Sequence, residues 1–73
     1  MPRLPVVTPK KLIKILRQLG FTHIHGKGSH MFFAHPDGRK TVIAMHDREI
    51  RRGTLLAILD DIQITREELA KLL

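Results

Sequence analysis

Two glycine-containing turns, each set between short apolar stretches, most constrain the fold of this 73-residue chain. One turn is Lys27-Gly28, and the other is Asp37-Gly38, which follows Pro36. Glycine adopts the backbone conformations that tight hairpins need, so the two turns predict three consecutive antiparallel strands. We expect these strands at Phe21 to Gly26, Ser29 to His35 and Lys40 to His46.

Helical patterns flank the predicted strands on both sides. Thr8-Pro9 is a typical helix start and Gly20 a typical stop, with leucine and isoleucine at helical spacing between them. A second apolar stripe follows Gly53, and Thr65 begins a capping box for a short final helix. The expected fold class is α+β, in which a helix, a three-stranded antiparallel sheet, a helix and a short extra C-terminal helix form one domain of residues 1–73.

Two-residue loops at both turns would place His25 opposite His30 and divide the strand residues between two faces. The face expected to pack on the core carries Ile24, Met31, Phe33, Val42 and Ala44. The face expected to stay open carries His23, His25, His30, Phe32, Ile43 and Met45. Because the side-chain period of a strand is two, a one-residue change in either turn exchanges the faces.

The charge distribution indicates a polyanionic partner. Residues 1–53 contain eleven Lys or Arg and three acidic residues, whereas residues 54–73 contain two and four. Lys10, Lys14 and Arg17 share the polar face of the first predicted helix and form a basic stripe there. The chain has no cysteine, no apolar run long enough to cross a membrane and no secretory leader pattern, so we expect a cytoplasmic protein without disulfides.

The segment from Gly26 to His30 carries the clearest chemical signal. Lys27, Gly28 and Ser29 combine a cation, a flexible backbone and a hydroxyl, which together suit a bound phosphate. His30 follows at the start of a strand, and an imidazole can take up and release a proton near neutral pH. The segment therefore predicts proton transfer beside a phosphate.

The chain resembles the HicA mRNA interferases, the toxins of HicAB toxin-antitoxin systems, from about Thr8 to Leu59. The resemblance is carried by Leu19-Gly20-Phe21, Lys27-Gly28-Ser29-His30, His35-Pro36-Asp37-Gly38-Arg39, His46-Asp47-Arg48-Glu49-Ile50 and Gly53-Thr54-Leu55. It implies a fold similar to the double-stranded RNA-binding domain. It also implies an endoribonuclease that cleaves mRNA, with His30 as the essential residue.

The same resemblance implies a HicB-type antitoxin that covers the active site and that mediates any contact of the complex with DNA. Phe32, Ile43 and Met45 are the apolar residues expected on the open face, and we expect them to form the antitoxin interface. No membrane partner is expected.

RNA supplies its own nucleophile in the 2′-hydroxyl, so His30 needs neither a metal nor a cofactor, and we expect none. The candidates for a second proton-transfer group are His25, His46 and water. Two alternatives remain open. One is a double-stranded RNA-binding module without catalysis, and the other is a metal site at His23 and His25, which alternation places on one face of a strand.

Overall fold

The computed structural model describes residues 3–46 and 48–73. Its elements are α1 (Pro9–Gln18), β1 (Thr22–Lys27), β2 (His30–Ala34), β3 (Lys40–Ala44), α2 (Arg52–Ile62) and α3 (Arg66–Leu72). This order confirms the predicted α+β layout. No helix within the described residues is long and apolar enough to cross a membrane.

The first helix begins and ends where its sequence predicts. The Thr8 hydroxyl accepts a hydrogen bond from the Lys11 backbone N–H at 3.3 Å, and Pro9 occupies the first helical position, where its missing N–H costs nothing. At the other end, Gly20 has a φ of 97°, which turns the chain into β1.

The strands form an antiparallel sheet in the order β1-β2-β3. Lys27 pairs with His30, so the first hairpin turn is Gly28-Ser29 and not Lys27-Gly28. Gly28 has a φ of 62°, the left-handed conformation that the first central residue of a tight hairpin turn requires.

Two irregularities change the predicted register. The pairing of β1 with β2 shifts between His23 and His25, which leaves Ile24 as the extra residue of a β-bulge. The second turn is a three-residue loop, Pro36 to Gly38, closed by a 2.9 Å hydrogen bond from the His35 N–H to the Arg39 carbonyl. The predicted pairing of His25 with His30 is also wrong, because the Gly28-Ser29 turn places His25 opposite Phe32.

The sheet packs one face against the helices. The shared core contains Val7, Leu12, Ile15, Leu16, Phe21, Phe33, Ile43, Leu55, Ile58, Leu59, Ile62 and Leu69. The prediction that Phe33 and Met31 face the core is confirmed. Phe33 is buried in the core, and Met31, on the same face of β2, packs against the core.

Several residues do not lie on the predicted face. Ile43 was expected on the open face but is 1% exposed, whereas Ile24 and Val42 were expected in the core and are 53% and 39% exposed. Ala44 was also expected in the core but pairs with His30 on the open face, and His23 was expected on the open face but pairs with Phe33. The three-residue loop accounts for Val42, Ile43 and Ala44, because it shifts the pairing of β3 by one residue, and the β-bulge accounts for His23 and Ile24.

Candidate functional site

The Gly28-Ser29 turn brings Lys27 and His30 together. The two residues are direct cross-strand partners, so their Cβ atoms lie about 5 Å apart on one face of the sheet. Both side chains are exposed. A phosphate placed at this end of the hairpin is therefore within reach of an ammonium group and an imidazole at once.

The turn itself leaves room for a ligand. A Cβ atom built on Gly28 would meet nothing within 4 Å, so the space beside the backbone is open. The Ser29 carbonyl accepts a 2.7 Å hydrogen bond from the N–H of Met45, which ties the turn to the chain just beyond β3. The turn is therefore accessible to a ligand, and its backbone is hydrogen-bonded to the segment just beyond β3.

His25 lies one step further from the turn on the same face as His30. Its cross-strand partner is Phe32, and their ring centroids are 4.9 Å apart with 30° between the ring planes. Two residues along a strand span about 7 Å, which separates His25 from Lys27 and Phe32 from His30. His25, a candidate for the second proton-transfer group, therefore lies near the turn but is not the cross-strand partner of His30.

His46 lines a groove of about 730 Å³. Its walls are Ile43, Ala44, Met45, His46, Arg48, Glu49, Ile50, Arg51, Thr54 and Ile58. Ala44, one of its lining residues, is the cross-strand partner of His30. Sequence reasoning missed Arg48 and Arg51 as candidate binding residues, although the cluster of arginines before α2 was a signal for them.

The basic stripe of α1 is exposed but lies apart from the turn. Lys10, Lys14 and Arg17 all point to solvent, as predicted. The opposite side of α1 packs on the core with Phe33, whereas His30 lies on the uncovered face of the sheet. The structure therefore does not bring the stripe and His30 onto one surface.

The second hairpin turn forms a polar cluster at the other end of β2. His35 Nε2 donates to the Leu19 carbonyl at 3.1 Å, and its Nδ1 lies 2.9 Å from a carboxylate oxygen of Asp37. The ring of His35 also meets the edge of Phe21, with 5.1 Å between centroids. His35 thereby joins the C-terminal end of α1 to the turn.

Arg39 makes the matching connection to α2. Its guanidinium donates to Asp37 at 2.8 Å and to the Ile62 carbonyl, and it lies 5.1 Å from the centroid of the Phe21 ring. The hydrogen bond from the backbone N–H of Arg39 is the largest influence on the pKa of Asp37 and lowers it. Desolvation opposes this effect, but the guanidinium of Arg39 and His35 lower the pKa further, so that it lies below its ordinary value of 3.8. The motif from His35 to Arg39 is thus built into the packing of the fold.

The alternative of a metal site at His23 and His25 is not supported by the pairing of the strands. The β-bulge places His23 opposite Phe33 and His25 opposite Phe32, so the two imidazoles lie on different faces of the sheet. Among residues 3–46 and 48–73, no group of three or more His, Cys, Asp or Glu could hold a metal ion.

Comparison with known proteins gives one family. The family model described as the HicA toxin of bacterial toxin-antitoxin systems matches residues 9–64. This range runs from the start of α1 past the end of α2 and includes the Lys27 to His30 turn. A search of curated proteins finds no match.

Proposed function

Because the chain belongs to the HicA family of bacterial toxins, we propose that it is an endoribonuclease that cleaves messenger RNA, with His30 as its catalytic residue. The observation that carries this proposal is the exposed cross-strand pair of Lys27 and His30 beside an open glycine turn. As in the wider family of such toxins, an antitoxin partner is expected to restrain it. The proposed place of action is the cytoplasm, where mRNA is translated.

In the proposed reaction, the 2′-hydroxyl of a ribose attacks the adjacent phosphorus and the bond to the 5′-oxygen of the next nucleotide breaks. The products are a 2′,3′-cyclic phosphate and a free 5′-hydroxyl. One proton leaves the nucleophile and one reaches the leaving oxygen, so histidines suffice as proton carriers. Lys27 and the backbone N–H groups of Gly28 and Ser29 would stabilise the charge that builds on the phosphate oxygens.

A second proton carrier is proposed at His46, with His25 as the alternative. His46 lines the groove that starts at Ala44, the partner of His30, and is exposed. His25 is stacked against Phe32 instead.

We further propose that the antitoxin is of the HicB type and that it covers the Lys27 to His30 turn. Phe32 and Met45 are half-buried and remain available to such a partner. Ile43 is withdrawn from the proposed interface because it is buried in the core. Any contact with DNA would then be made by the antitoxin.

The exposed stripe on α1 supports a second candidate function, a double-stranded RNA-binding module without catalysis. Such modules contact the phosphates and 2′-hydroxyls of a duplex through basic side chains. In that case His30 would have no chemical task. Cleavage assays therefore separate the two functions.

The test compares purified wild-type protein with His30→Ala and with His23→Ala, a matched change of an exposed strand histidine on the other face. We expect His30→Ala to lower the rate of RNA cleavage by on the order of 10²- to 10⁴-fold and to abolish toxicity on expression in bacteria. His23→Ala should retain both, and cleavage by the wild type should persist in EDTA.

His46→Ala and His25→Ala complete the series, and the larger loss of rate should fall on His46→Ala. Wild-type cleavage by a folded His30→Ala variant would overturn the catalytic role. Absence of any cleavage by the wild type, with duplex RNA bound, would favour the binding module.

A further inference from the structure

The uncovered face of the sheet is organised in three cross-strand rows. Counted from the Gly28-Ser29 turn, the rows are Lys27, His30 and Ala44; then His25, Phe32 and Val42; then Thr22, Ala34 and Lys40. The helices all contribute to the core on the opposite side, with Phe33 and Ile43. The middle row is therefore the aromatic and apolar centre of a surface whose two ends carry lysines.

The middle row carries a pair of aromatic rings stacked on each other. His25 and Phe32 lie nearly face to face, with 4.9 Å between ring centroids and 30° between planes, and Val42 continues the row with 39% exposure. Flat aromatic surfaces on sheets bind nucleobases by stacking, which tolerates any base because every base has a π-face.

The position of this row relative to His30 matters as much as its shape. Phe32 lies two residues after His30 on the same strand and the same face, about 7 Å away. This is comparable to the distance between a nucleotide's base and its own phosphate. A base above Phe32 would therefore leave its phosphate near Lys27 and His30.

The charges of the three rows favour a nucleic acid over a protein with a basic surface. None of the nine residues is acidic, and Lys27 and Lys40 stand at diagonally opposite corners, roughly 16 Å apart along the backbone grid. A polyanion that crosses the sheet diagonally would meet one lysine on each side of the aromatic row.

We propose that Phe32, with His25 beside it, stacks one base of a single-stranded RNA and thereby positions the adjacent phosphate at Lys27 and His30. The proposal rests on the proposed function for the identity of the reacting phosphate. Phe32 and His25 are positioning residues in this arrangement, since neither touches the atoms that react. Specificity for single strands follows, because a paired and stacked base is not free to lie on the ring.

The test measures binding, so that it does not depend on cleavage. The probe is a fluorescein-labelled 2′-O-methyl oligoribonucleotide, which lacks the nucleophilic hydroxyl and stays intact. Phe32→Leu should weaken its binding by roughly 5- to 150-fold, the usual effect of losing one stacked base. Phe32→Tyr keeps a ring and should bind like the wild type, and so should Val6→Ala, which removes an exposed apolar side chain outside the sheet.

A second measurement locates the base. The chain contains no tryptophan, so Phe32→Trp introduces a single fluorophore in the middle row. The oligonucleotide should quench this fluorescence by stacking, whereas the emission of a Leu73→Trp control, at an exposed position of the C-terminus, should not change. An abasic site in the oligonucleotide should reduce the quenching.

The proposal would be overturned if a folded Phe32→Leu protein bound the oligonucleotide with unchanged affinity and the oligonucleotide did not quench Phe32→Trp. The middle row would then be a surface for a protein partner. Failure of the proposed function looks different. In that case the row would still bind and quench, while His30→Ala would leave cleavage unchanged.

Discussion

Asp37 shows how one residue of a surface turn can affect the stability of the whole molecule. Its carboxylate receives the backbone N–H of Arg39 at 3.1 Å and the Arg39 guanidinium at 2.8 Å, and Arg39 in turn holds the end of α2. These interactions favour the charged form and keep the pKa of Asp37 below 3.8. The charged carboxylate therefore stabilises the folded state.

The pH dependence of this contribution has a defined sign. Since the pKa is lower in the folded than in the unfolded chain, the contribution is fully present above about 3.8 and is lost as the pH falls through the folded value. Asp37→Asn should therefore lower the urea midpoint at neutral pH, and the difference from wild type should shrink in acid.

Asp60→Asn is the matched control, because it removes the same charge from an exposed position in α2. Urea unfolding of the three proteins across the acid range checks the prediction. An equal loss for Asp37→Asn at all pH values would mean that the turn depends on shape and not on the charge of the carboxylate.

At the scale of elements, the contact between α1 and the second hairpin turn is sensitive to the size of residue 20. Gly20 and Gly38 have nearly the same φ, 97° and 101°, so alanine is strained at both by about 1 to 2 kcal/mol. An alanine Cβ at position 20 would also lie 3.0 Å from Nε2 of His35, whereas position 38 is open. Gly20→Ala should therefore cost more free energy of unfolding than Gly38→Ala.

The difference between the two variants measures the displacement of His35 from the Leu19 carbonyl. Chemical unfolding at neutral pH gives both values. Equal losses of unfolding free energy in Gly20→Ala and Gly38→Ala would show that His35 moves away freely. His35 would then contribute little to joining α1 to the turn.

The sequence predicts these elements well where the signal is local. Thr8 marks the start of α1 through its side chain, and Gly20 marks its end through its backbone. Both act on backbone groups only a few residues away. Register is harder, because the loop length around Asp37-Gly38 depends on contacts of His35 and Arg39 with the distant residues Leu19 and Ile62.

The same distinction applies to the site. Lys27 and His30 are close in sequence, so the glycine turn predicts that they lie near each other. Their direct pairing was not predicted, because it depends on Gly28-Ser29 being the turn and not Lys27-Gly28. The bulge at Ile24 has no such signal, since alternation through His23 and His25 is regular in the sequence. Likewise the groove joins Ala44 to Thr54, and only folding brings these segments together.

At the scale of the whole molecule, α3 lies beyond the family match, which ends at residue 64, yet it shares the common core. Thr65 and Glu68 form the predicted capping box, and Leu69 is completely buried. We therefore propose that the chain unfolds as one domain. Leu69→Ala should lower the free energy of unfolding by about 2 to 5 kcal/mol, as for other buried leucines.

Circular dichroism and hydrogen exchange during unfolding check this prediction. In Leu69→Ala the sheet and all helices should lose protection together. Loss of α3 alone, with an unchanged transition for the sheet, would make α3 an appendage of the domain.

The basic stripe on α1 and the Lys27 to His30 turn lie on opposite sides of the sheet, so one RNA reaches both only if it extends around the molecule. A triple change of Lys10, Lys14 and Arg17 to Ala should therefore weaken binding of long single-stranded RNA but not of a short oligonucleotide that fills the sheet face alone. For the long RNA, each lost phosphate contact should reduce the slope of log affinity against log salt by about 0.7.

Lys11→Ala is the control, since Lys11 is exposed on α1 but outside the stripe. Fluorescence anisotropy at several salt concentrations gives the slopes. An unchanged slope for the long RNA would exclude the stripe from the interface and confine recognition to the sheet, its turn and the groove beside it.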